Sequence, residues 1–207
     1  MATGYPVSLS VDYPERKLNR LTTFFRIFVA IPIIIVLVLL LGGNFQAGAK
    51  EGGGFVAGIG MIVLPLVLMI LFRRKYPRWW YDWNLNFTGF MYRVDAFIYL
   101  LTDVYPSTDE EQSVHLELPY PDAAGLNRWL PLVKWFLAIP HIIVLICLDI
   151  ALIVVTIIAW FAILFFTGNY PKGLFNFVVG VMRWGFRVVA YALILVTDKY
   201  PPFSLEV

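Results

Sequence analysis

The side chains best able to do chemistry are few and scattered. The only histidines, His115 and His141, and the only cysteine, Cys147, are far apart in the chain. No phosphate-binding loop, nucleophile elbow or His-Glu-x-x-His run accompanies them. The residues therefore predict no catalytic set, no metal centre and no cofactor. Cys147 excludes an intrachain disulfide and reads as a small buried side chain in an apolar run. His141, after Pro140 in an apolar stretch, must find a hydrogen bond there, which points to packing.

The charged residues carry more information, because they recur. Asp103 and Asp198 each follow a threonine at the end of an amphipathic segment, where a carboxylate opposes the helix dipole and needs a partner. Arg20 and Arg128, both in Leu-Asn-Arg, are the expected partners, giving two structural ion pairs. Arg26 and Lys134 sit near the starts of apolar runs and read as lipid anchors. Arg73, Arg74, Lys75 and Arg78 run into Trp79, Trp80 and Trp83, a basic cluster joined to an aromatic belt that suits an anionic membrane surface. Arg93, Arg183 and Arg187 are a candidate contact for an anion or a partner, since Arg183 and Arg187 share one helix face.

The elements that must position these residues are membrane elements. The 207 residues are 60% hydrophobic and 14% charged, which excludes an ordinary water-soluble domain, and a net charge of +2 gives no reason to expect nucleic acid. Ile27–Ala49 and Phe55–Phe72 lack charge, and Trp129–Phe166 is interrupted only by Lys134 and Asp149. At about 20 residues per crossing, these runs predict spans near 21–41, 55–72, 129–147 and 150–167, the last two joined by a turn near Asp149. Segments near 85–101 and 174–197 are apolar with polar stripes and read as amphipathic interfacial helices. With four crossings, most Lys and Arg fall on one side, so both termini are expected in the cytoplasm.

The chain also repeats itself. Leu18-Asn19-Arg20 and Ala30-Ile31-Pro32 return 108 residues later, and Thr102-Asp103-x-Tyr105-Pro106 returns 95 residues later as Thr197-Asp198-x-Tyr200-Pro201. Two units, 1–106 and 107–207, follow, each a two-span hairpin, a Tyr-Pro turn and an amphipathic helix. An even number of crossings makes them parallel. Period-two alternation in Val7–Val11, Val114–Leu118 and Phe203–Val207 predicts three short strands, all on the cytoplasmic face. The fold class expected is thus an all-α membrane protein of two parallel repeats with short β-strands on one face.

Leu126–Trp135, Ala-Ile-Pro-His from Ala138, Thr-Gly-Asn-Tyr-Pro from Thr167 and Val-Thr-Asp-Lys-Tyr-Pro-Pro-Phe-Ser-Leu from Val196 resemble a bacterial membrane-protein family known only as a domain of unknown function. The first half resembles a diverged copy, lacking the His after Ala-Ile-Pro and the Thr-Gly before Tyr-Pro. The resemblance implies a bacterial inner membrane and no established activity, so no catalytic residue carries over from it. The function expected is that of a non-enzymatic, multi-pass scaffold or accessory subunit, in contact with lipid and with a membrane-protein partner or further copies of itself. A small oligomeric channel or transporter for an anionic solute or lipid is the alternative.

Overall fold

The structure is a computed structural model that describes residues 4–41, 65–122, 125–166 and 168–206. It is mostly helical, with one small sheet. Asn19 caps α1 (Arg20–Phe24), its side-chain oxygen accepting the Leu21 N–H at 2.9 Å, and α2 (Arg26–Leu40) follows after Phe25. Pro77 and Pro171, both extended, start α3 (Arg78–Ile98) and α5 (Lys172–Ala192), so the first of these helices begins about seven residues before the expected start near 85. The predicted span near 55–72 lies largely outside the described residues; its end is a wide helical turn, Met69–Arg73.

Residues 130–166 depart from the expected hairpin. They form one helix, α4 (Leu130–Phe161), continued by a wide turn over Ala162–Phe166, and no turn occurs at Asp149. The reason is local: this stretch contains no glycine or asparagine, and one aspartate among good helix formers does not stop a helix. Pro140 removes one backbone donor without ending it. Two helices, Leu130–Phe166 and Lys172–Ala192, are long and apolar enough to cross a membrane.

The second amphipathic helix is not a separate surface ledge. The Trp135 indole donates to the Ala192 carbonyl at 2.8 Å, Trp184 meets His141, and a short connection joins the other ends, so α5 runs antiparallel along α4. Its period-3.6 apolar face supplies the main core through Phe175, Val178, Met182 and Phe186. α3 packs on α2 through Phe90, Val94 and Ile33, and meets α5 where Tyr92 lies edge-on to Phe186.

Two of the three expected strands form. β1 (Ser8–Val11) and β2 (Val114–Glu117) pair antiparallel, with Leu9 opposite Leu116 and Val11 opposite Val114. Leu9 and Val114 turn inward, β1 covering α5 and β2 covering α3. The segment at 203–206 is not a strand, because its carbonyls are taken by arginines of α5. Cys147 is exposed on α4 rather than buried.

Gly180 of α5 is where that C-terminal strap crosses the helix most closely. A Cβ there would meet the Leu205 Cβ at 3.0 Å and the Leu205 carbonyl oxygen at 3.1 Å. Gly180→Ala is therefore predicted to cost about 1–3 kcal/mol despite alanine's better helix propensity. Thermal unfolding and limited proteolysis check this: the midpoint falls and the C-terminal strap is cut sooner.

Candidate functional site

Charged side chains and the ends of helices meet in two matching clusters. α3 and α5 each end in a turn centred on a left-handed leucine, Leu100 at φ 64° and Leu195 at φ 60°. That conformation costs a leucine about 1–2 kcal/mol. Burial of both side chains holds it, with the Leu101 N–H on the Ala96 carbonyl and the Val196 N–H on the Ala190 carbonyl. The turns send Thr102-Asp103 and Thr197-Asp198 back toward the starts of α2 and α4.

There the aspartates find cations, though not those expected from the sequence. Arg26 Nη2 lies 2.6 Å from Asp103 Oδ1, and Lys134 Nζ lies 2.8 Å from Asp198 Oδ1. Arg26 also donates to the Thr102 carbonyl at 3.0 Å and Lys134 to the Thr197 carbonyl at 2.7 Å. The second carboxylate oxygen accepts the backbone N–H of Asn19 or Asn127, at 2.6 Å in each cluster. An aromatic ring faces each cation, Phe97 under Arg26 at 4.1 Å and Tyr191 near Lys134 at 5.0 Å. Arg26 and Lys134, at 4% and 0% exposure, are thus internal locks and not lipid anchors.

Arg20 and Arg128 do not reach the aspartates. Each turns to the frayed C-terminal end of a helical segment in the other half, where carbonyls lack helical partners. Arg20 Nη2 donates to the Phe166 carbonyl at 3.4 Å, and Arg128 donates to the Leu71 carbonyl through Nη2 at 2.7 Å. A cation at a helix C-terminus also matches the dipole.

Arg93, Arg183 and Arg187 do not form an open anion path either. Arg93 donates to the Ser107 and Thr108 carbonyls, Arg183 to Leu9 and Leu205, and Arg187 to Ser204 and Glu206. The planar fork, with several fixed donors, suits this task of pinning irregular chain onto a helix. Burial lowers the pKa of Arg93, which lies outside the candidate spans, and the nearby Asp109 and Glu111 oppose that shift.

The basic and aromatic segment has a different character. Arg73, Arg74, Lys75, Arg78, Trp79 and Trp83 are exposed and Trp80 is half-buried. Trp80 stacks on Trp83 and Trp83 on Phe87, with centroids 5.6 and 5.1 Å apart. Beside them a groove of about 650 Å³ lies between Arg74, Lys75, Tyr76 and Tyr120. Asp122 also lines the groove and Arg78 pairs with Asp82 at 3.4 Å, so these exposed cations border both aromatic rings and carboxylates.

The two histidines serve structure. His141 Nδ1 accepts the Trp184 indole N–H at 3.0 Å, and the ring stacks on Phe203 at 3.9 Å, so its proton sits on Nε2. His115, on β2, bridges Asp12 at 2.9 Å and Glu111 at 3.1 Å. These hydrogen bonds, Asp12's first, raise its pKa above the ordinary value. A raised folded pKa means that the bridge stabilises fully below the unfolded value of about 6.5, while the carboxylates stay ionised, and is lost as pH rises through the folded value. The difference in melting temperature between the parent and His115→Gln is predicted to be largest near pH 5–6 and to vanish in alkali.

Residues 129–204 match the family described as a domain of unknown function, DUF4389. The chain has no match among curated proteins and none among solved structures. The second half, from the start of α4 to the strap beyond α5, carries a DUF4389 domain.

Proposed function

We propose that this chain is a non-enzymatic, multi-pass protein of the bacterial inner membrane that serves as a scaffold or accessory subunit. The observation that carries the reading is the outer flank of α4. Ile143, Ile146, Ile150, Ile153 and Ile157 form a continuous stripe at helical spacing, each more than half exposed. An apolar stripe of that length needs lipid, a partner helix or a second copy against it. The basic groups that a transporter of anions would turn toward its solute are instead engaged within the chain: Arg93, Arg183 and Arg187 on carbonyls, Arg26 and Lys134 on aspartates.

The reading includes two related units. The matched positions 26 and 134, 103 and 198, 19 and 127, and 93 and 187 make matched contacts, which supports an origin by duplication. It also includes both termini on the cytoplasmic side. The Asp12 N–H donates to the Ser113 carbonyl at 2.9 Å, and the Tyr5 hydroxyl donates to the Lys199 carbonyl at 3.0 Å, which favours a common side for both ends and the central linker.

Purification in a gentle detergent tests the proposal. The protein is expected to be recovered in a stable assembly, with a partner or with itself, that Ile150→Arg dissociates without lowering the melting temperature. Liposomes should show no chloride or phosphate flux. A monomer giving flux that falls with Arg187→Ala would reverse the reading in favour of a transporter.

A further inference from the structure

Halfway along α4, where the apolar run carries its one carboxylate, three helices border a small half-open cleft of about 140 Å³. Asp149 of α4 faces it from one side, and Tyr92, Asp95 and the following Tyr99 face it from α3 and its end. α5 contributes Met182 and Gly185. No other titratable group lines the cleft.

Elsewhere among the described residues most buried guanidinium groups and phenols reach a carbonyl or a carboxylate, the Tyr170 hydroxyl being an exception. Among the described residues, neither Asp95 nor Asp149 has a side-chain hydrogen bond or ion pair. Tyr92 is only 8% exposed, yet its hydroxyl has no hydrogen-bond partner. That hydroxyl reaches to within 3.6 Å of where a methyl on Gly185 would stand, so it points at the cleft wall. The unpartnered Tyr92 hydroxyl carries a desolvation cost, while Asp95 is half-buried and Asp149 exposed.

We infer that this cleft binds a small organic cation, a protonated amine with a short alkyl part, held by Asp149 and Asp95 with Tyr92 and Tyr99 against it. Charge selects a cation, since two carboxylates share the space and no basic group lines it. The walls select an organic one. A hard metal ion wants six or more oxygen ligands, and Leu145, Leu152, Val181 and Met182 offer none. Those side chains suit an alkyl group, and phenol rings attract an ammonium through their faces. The volume is that of about four or five waters, which a cation of a few heavy atoms fills.

Ethylammonium chloride is the probe, with sodium chloride at equal ionic strength as the control, on the full chain in detergent containing no amine lipid. Ethylammonium should raise the melting temperature saturably while sodium does not, and saturation transfer should reach the ethyl protons. Asp149→Asn should weaken binding by about tenfold or more, the effect of removing a charged hydrogen-bond partner. Gly185→Ala keeps the variant folded, since its methyl meets nothing closer than 3.6 Å, but it intrudes on the cleft and should also weaken binding. Equal effects of sodium and ethylammonium, a response retained by both variants, or no response to ethylammonium would each overturn the inference. So would a response seen only with ethanolamine headgroups in nanodiscs, because the site would then be one for lipid.

Discussion

A cation buried in apolar surroundings must keep a carboxylate beside it, and much of this architecture follows from meeting that requirement twice. Arg26 and Lys134 open the two helices α2 and α4 from positions with almost no access to solvent. Breaking such a pair by removing one partner costs about 3–5 kcal/mol, so the aspartates cannot be left to chance. Their placement demands the reversal after α3 and α5, and the reversal demands a left-handed residue. Leucine fills that position in both turns, although glycine would avoid the strain, because the same residue must plug the core.

The arginines extend this logic to irregular chain. Segments 107–108 and 204–206 have no strand partner among the described residues, yet their carbonyls are occupied by guanidinium donors from Arg93, Arg183 and Arg187. Arg20 and Arg128 do the same for carbonyls at helical ends across the two halves. The polar residues are thus concentrated along an inner seam, and α4 keeps an outer face of isoleucine. That separation suits the scaffold role proposed above, in which internal bonds fix the shape and the outer surface associates.

Several of these features are legible in the sequence. The 3.6-residue period gives α3 and α5, though α3 starts at Arg78 and not near 85, and period two gives β1 and β2. Duplication marks Asp103 and Asp198 as needing partners. It does not say which cation, because Arg20 and Arg26 lie six residues apart on one short helical entry, and only the reversed path after Leu100 decides between them. Asp149 misleads for a similar reason. A charge in an apolar run suggests a turn into water, whereas the chain keeps its helix and faces Asp149 toward a cleft shared with Asp95, 54 residues earlier. The strap at 203–206 alternates like a strand, but its hydrogen bonds go to side chains that no local pattern reveals.

The most direct test is a double-mutant cycle on the second lock, with Lys134→Met, Asp198→Asn and the pair unfolded in a titrated denaturing detergent. A coupling energy of about 1.5–3 kcal/mol is predicted, the double variant being destabilised by that much less than the two single variants added together. A coupling within about 0.5 kcal/mol of zero, as for an exposed ion pair, would contradict it.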